Sequence, residues 1–88
     1  MRAYVADQMA RMTRFRMVPH SRANFFLTEI VDPALDSDSV FEGLLKRGVI
    51  VKNGNHIEGL GSRYLRVDLN LKVHMDRFLN ALNDLPAR

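Results

Sequence analysis

The sequence predicts a small α+β domain: a four-stranded, mostly antiparallel sheet with helices on one face, in the order α-β-β-α-β-β-α. Three observations carry this expectation. Apolar residues recur at helical spacing near both ends of the chain, a third helical segment lies between polar start signals and the stop signal Gly48, and four short runs carry strand-type residues. At 88 residues the chain is a single domain, 1–88, with room for one modest core. Apolar residues make up 47% and charged residues 26%, which excludes wholesale disorder.

Residues 1–14 carry Val5, Met9 and Met12 at helical spacing among alanines, without Gly or Pro, and predict an amphipathic helix. The pattern opens directly, with no cap or leader, as in a segment of a longer protein. Phe15 to Val18 form a first strand, and Pro19-His20-Ser21-Arg22 a turn, because proline presets its own φ and serine favours turn geometry. His20 has no second ligand candidate at useful spacing and is expected to be a solvated loop histidine. Asn24 to Ile30 form a second strand, rich in aromatic and branched residues and paired with the first.

Asp32 to Asp38 is a polar connection, after which Ser39 and Glu42 supply the S-x-x-E pattern of a capping box. Val40, Phe41, Leu44 and Leu45 give this helix its apolar face. Lys46 and Arg47 favour the negative end of its dipole, and Gly48 supplies a left-handed stop. Val49 to Lys52 form a third strand, reached through a helix, so a crossover with parallel partners is expected. From Asn53 to Ser62 the sequence predicts a long, mobile loop, since ten residues separate Asn-Gly from Tyr64 and a two-residue hairpin cannot span them. Asn70 is placed to cap a last helix in which Met75, Phe78, Leu79 and Leu82 recur on one side, ending near Pro86.

The fourth strand concentrates the chemistry. Gly59-Leu60-Gly61-Ser62-Arg63-Tyr64-Leu65-Arg66-Val67-Asp68-Leu69-Asn70 sets a glycine turn before alternating residues. Leu65, Val67 and Leu69 face one side, and Tyr64, Arg66 and Asp68 the other. An arginine on the face away from the core can bind a carboxylate or phosphate through its planar fork of donors. Spacing alone favours the plainer reading, an exposed arginine on the wet face of a half-buried sheet.

The net charge of +3 is spread along the chain, with Arg11, Arg14 and Arg16 the one local basic cluster, so nucleic acid is not the expected partner. No cysteine is present, which removes disulfides and thiolate metal sites and suits a reducing, cytoplasmic setting. No apolar run approaches a membrane span, and no membrane partner is expected.

Three blocks together resemble the C-terminal small domain of the class I/II aminotransferases, the fold-type I pyridoxal-phosphate enzymes. They are Pro19-His20-Ser21-Arg22-Ala23-Asn24-Phe25-Phe26-Leu27, the run from Phe41 to Lys52, and Gly59-Leu60-Gly61-Ser62-Arg63-Tyr64-Leu65-Arg66-Val67. The nearest members are histidinol-phosphate aminotransferase and threonine-phosphate decarboxylase. The resemblance implies that Arg66 grips the α-carboxylate of an amino-acid substrate. It places Lys52 where those relatives carry a phosphate-binding arginine, and lysine lacks the fork that arginine uses there. Asn24 matches the family's Asn-Phe pair, as a structural or substrate-contacting residue. After Arg66-Val67 the histidinol-phosphate branch usually has a small residue and then a Gly-Thr turn; this sequence has Asp68-Leu69-Asn70-Leu71 instead, so no exact substrate carries over.

The resemblance further implies that the cofactor-bearing lysine and the rest of the pyridoxal-phosphate site belong to a large catalytic domain. The expected arrangement is therefore a substrate-recognition domain of an aminotransferase or decarboxylase, with substrate-binding residues Arg66, Lys52 and Asn24, and no catalytic or cofactor-binding residue of its own. Its expected partners are the large domain and an amino acid. The alternative is a free-standing, non-catalytic interaction module whose uncovered sheet face binds another protein or forms a homodimer.

Overall fold

A computed structural model describes residues 1–19 and 24–86; the predicted turn at Pro19 to Arg22, and His20 with it, lies largely outside the described residues. The order of elements is α1 (Arg2–Met9), β1 (Phe15–Met17), β2 (Phe25–Ile30), α2 (Ser37–Lys46), β3 (Lys52–Asn53), β4 (Tyr64–Asp68) and α3 (Lys72–Asp84), with a 3-10 turn at Gly54–His56 before β4. The predicted α+β order holds. The strands form one sheet, ordered β1-β2-β4-β3, in which every neighbouring pair is antiparallel.

This order corrects the expected parallel partnership of β2 and β3. They run in the same direction, but β4 lies between them and pairs with both. The crossover through α2 therefore leaves one strand's width open, which the last strand fills.

One core holds the layers together. Phe26, Thr28 and Ile30 of β2, Leu65 and Val67 of β4, and Phe15 of β1 are buried under Val5 and Met9 of α1, Val40 and Leu44 of α2, and Met75, Phe78, Leu79 and Leu82 of α3. At its centre the Phe26 and Phe78 rings meet edge to face, 6.0 Å apart and 70° inclined, a geometry aromatic quadrupoles favour. All three helices lie on that side. The alternate residues, Phe25, Leu27, Glu29, Tyr64, Arg66 and Asp68, make up the other face of the sheet.

Several boundaries move for identifiable reasons. Helix α1 ends at Met9 rather than near residue 14, because the Arg14 carbonyl accepts the backbone N–H groups of Val31 and Asp32 (2.8 and 3.2 Å), drawing the chain into the sheet. Helix α2 begins earlier than its S-x-x-E pattern predicts. Asp36 is the cap: its carboxylate accepts the Ser39 N–H at 2.8 Å, while the Ser39 hydroxyl accepts the Asp36 N–H at 3.1 Å. Ser39 thus serves as the third helical residue of a capping box, not as its first.

Gly48 takes the expected left-handed conformation, φ +79°. The next N–H, of Val49, returns to the Leu44 carbonyl at 2.9 Å, so the chain reaches β4 only at Lys52 and β3 is shorter than predicted. Asn70 does not cap α3. Its side chain accepts the N–H of Leu71, the actual cap residue, one position too early to serve the helix's first turn.

Candidate functional site

The sheet face without helices gathers the predicted site residues. Register places Lys52 of β3 directly opposite Arg66 of β4, and Leu27 of β2 opposite Arg66 on its other side. In the adjacent rows Phe25 opposes Asp68, and Glu29 lies between Arg16 and Tyr64. Opposed residues on one face have Cβ atoms about 4.5–5.5 Å apart, so two cations from separate strands share a small area.

Arg66 is held rather than loose. Its guanidinium carbon lies 4.1 Å from the centre of the Phe25 ring, so one face of the cation is covered by an aromatic quadrupole. Its Nε is 3.5 Å from Asp68 Oδ1, close enough for electrostatic attraction but not a hydrogen bond. That Nε is buried and has no hydrogen-bond partner among the described residues, while the side chain as a whole is 36% exposed. A desolvated charged donor without an acceptor is unfavourable unless something supplies one.

The loop before β4 is a compact structure, not the long mobile loop the sequence predicts. Asn53 Oδ1 accepts the Asn55 N–H at 2.9 Å, opening the 3-10 turn, and the Gly61 N–H returns to the Gly54 carbonyl at 3.1 Å. Asp38, in the first turn of α2, accepts from the side-chain amides of Asn53 (2.8 Å) and Asn55 (3.2 Å). Those two bonds, with His56 nearby, hold the Asp38 carboxyl below the usual aspartate range. Arg63 completes the anchoring by donating to the backbone carbonyls of Asp32 and Leu35. These contacts join β3 to β4 beside Lys52. Spacing in the sequence gives no sign of them.

Asn24 lies just outside β2, exposed, and its carbonyl accepts the Leu69 N–H at 2.6 Å. The alternation of β2 directs even-numbered positions to the helix side, opposite to Arg66. Sequence reasoning also missed Phe25, the platform for Arg66, because cross-strand register is invisible in a single segment.

The Arg11, Arg14 and Arg16 cluster is dispersed by the fold. Arg11 pairs with Asp7 at 3.5 Å, Arg14 donates to the carbonyls of Leu82 in the last turn of α3 and of Pro86 beyond it, and Arg16 binds Glu29 through Nε at 2.8 Å. No common surface for a phosphate backbone results. No group of three or more His, Asp or Glu residues suited to a metal occurs among the described residues, nor does any described helix have the length and apolarity to cross a membrane.

The larger concavities lie elsewhere. One of about 640 Å³ runs between α2 and Leu85-Pro86, and another of about 400 Å³ between α1 and α3; neither includes Arg66 or Lys52. A ligand on the sheet face would need a second surface to enclose it. The three lysines do not fit a covalently held carbonyl cofactor. Lys46, Lys52 and Lys72 are all exposed, without the desolvation that makes an amine nucleophilic near neutral pH. Lys72 is bound by Asp76 at 2.9 Å and lies over the Tyr4 ring, and Asp76 and then Tyr4 raise its pKa, the opposite of what such a role needs.

No family model matches the chain. Among curated proteins, histidinol-phosphate aminotransferase of Methanocaldococcus jannaschii is 37% identical over 65 residues, covering 74% of this chain and 17% of its own length. The same enzyme of Aquifex aeolicus is 36% identical over 78 residues, covering 89% of this chain and 21% of its own length. The chain is related to the histidinol-phosphate aminotransferase family. It spans about a fifth of the length of these relatives. Two solved structures share its fold. L-threonine-O-3-phosphate decarboxylase from Porphyromonas gingivalis superposes over 92% of this chain and 24% of its own, with TM-score 0.80 and 17% identity. Histidinol-phosphate aminotransferase from Clostridium acetobutylicum covers 96% of this chain and 26% of its own, with TM-score 0.78 and 22% identity.

Proposed function

We propose that this chain is the substrate-recognition domain of a pyridoxal-phosphate-dependent aminotransferase-like enzyme, with Arg66 binding the carboxylate of an amino-acid substrate. The observation that carries this reading is the buried, unpartnered Nε of Arg66 on the sheet face that no helix covers, beside Lys52. A carboxylate would supply the acceptors that the guanidinium lacks. Lys52, one strand away, would meet a second polar or anionic part of the substrate as a point charge.

A large catalytic domain would supply the cofactor, which acts as the electron sink for chemistry at the substrate's Cα. The same domain would supply the second wall of the site. On this reading Arg66 orients the substrate and excludes unproductive poses, and it does not transfer protons. Asn24 would support the end of β2 through its backbone.

The test is kinetic, in the enzyme that carries this domain. A charged, desolvated pair contributes on the order of 2–3 kcal/mol, so Arg66→Ala is expected to lower kcat/KM by roughly 30- to 150-fold, largely through KM. Arg66→Lys should recover only part of this, because the point charge returns without the fork. Kinetics unchanged by Arg66→Ala would refute the assignment.

A further inference from the structure

The described charged groups on the site face are Arg16, Glu29, Lys52, Arg66 and Asp68. Arg16 and Glu29 neutralise one another at 2.8 Å. Lys52, Arg66 and Asp68 remain, two positive charges and one negative, leaving a single net positive charge where a ligand would sit.

Asp68 also restricts how Arg66 can be used. A guanidinium can grip a carboxylate from the side, through Nε and one Nη, or end-on, through both Nη groups. Asp68 Oδ1 stands 3.5 Å from Nε on the side edge, and the Phe25 ring covers one face of the cation. An anion that accepts from Nε is therefore brought beside the Asp68 carboxylate. Asp68 is 58% exposed, so an incoming anion meets its charge directly.

We infer that Asp68 is a specificity-determining residue of this site, shifting the selectivity of Arg66 away from dianionic and toward monoanionic groups. The inference rests on the reading of Arg66 as an anion clamp. The physical basis is that repulsion from Asp68 scales with the ligand's charge, so it opposes a dianion twice as strongly as a monoanion. A substrate bearing a carboxylate with an ammonium group beside it suits this arrangement, since Asp68 attracts the ammonium while Arg66 takes the carboxylate.

The test uses acetate and sulfate as probes on the 88-residue chain at pH 7 and constant ionic strength, following by NMR the Arg66 Nε–H signal and the backbone N–H signals of Lys52 and Leu65, which persist in the Arg66→Ala variant. Asp68→Asn keeps the shape and removes the charge. From the size of exposed charge pairs, acetate binding is expected to strengthen about threefold and sulfate binding about tenfold. Asp84→Asn, the same change in net charge away from this face, should alter either affinity by less than about twofold. Equal gains for the two anions, or none, with binding still abolished by Arg66→Ala, would overturn the role of Asp68 and leave the clamp standing. Absence of any anion response at Arg66 in both the parent chain and Asp68→Asn would overturn the clamp itself.

Discussion

Replacing Gly54 by alanine tests how the loop beside the site is held. Gly54 is buried, and a Cβ built on it would lie 2.2 Å from the Tyr64 carbonyl oxygen and 2.3 Å from that of Gly61. Real Cβ atoms keep at least about 3 Å from such oxygens, so each neighbour must retreat by most of an ångström. Both are backbone, one at the start of β4 and one in the glycine turn, and neither can move by rotating a side chain. Overpacking of this kind costs about 1–3 kcal/mol, with the upper end expected here, against roughly 0.4–1 kcal/mol gained from a stiffer unfolded chain.

The net loss is about 2 kcal/mol. For a domain of this size that corresponds to a fall in Tm of roughly 8–16 °C, measurable by circular dichroism or calorimetry. Gly43→Ala supplies the contrast. Its Cβ would meet Leu85 Cδ2 at 2.4 Å, but the next nearest atom is 3.8 Å away, and a change of the leucine rotamer clears the clash. Within helix α2 alanine is intrinsically better than glycine by about 1 kcal/mol, so this variant should be near neutral. If Gly54→Ala melts within about 2 °C of the parent chain, the close backbone approach does not constrain the fold as argued.

Other substitutions probe separate parts of the structure. Thr28 is fully buried and its hydroxyl has no hydrogen-bond partner among the described residues, so Thr28→Val should stabilise by about 1 kcal/mol and raise Tm; a clear fall would refute the absence of that hydrogen bond. The Asp38 carboxyl is held below its ordinary value by Asn53, then Asn55, so its contribution is complete above about pH 4 and is lost as pH falls through the lower folded-state value. Asp76, lowered by Tyr4 and then Lys72, acts in the same window and sense. Chemical denaturation from pH 6 to pH 2 should therefore show declining stability, with a shallower decline in Asp38→Asn; identical slopes would exclude Asp38 as a contributor.

Much of the framework was legible in the sequence because it rests on local periodicity. The alternation of Leu65 and Val67 with Tyr64, Arg66 and Asp68 assigned the two faces of β4, and the structure buries the first set and leaves the second on the helix-free side. The spacing of Met75, Phe78, Leu79 and Leu82 identified the core stripe of α3. Boundaries were less legible where side chains compete. Asp36 and Ser39 are both good caps, and the choice between them depends on where the incoming chain is held, in part by the Ser37 N–H bonding to the Ser62 carbonyl at 2.8 Å.

The candidate site itself divides along the same line. By itself the sequence determined that Arg66 stands on a strand face away from the core, since a period of two needs only neighbouring residues. Only the tertiary structure decided what surrounds it. The strand order β1-β2-β4-β3 brings Lys52 opposite Arg66 and Phe25 opposite Asp68, from segments 14 and 43 residues apart in the chain. Register between distant strands is settled by the shared core and by the pinned loop at Gly54, and no local pattern encodes it.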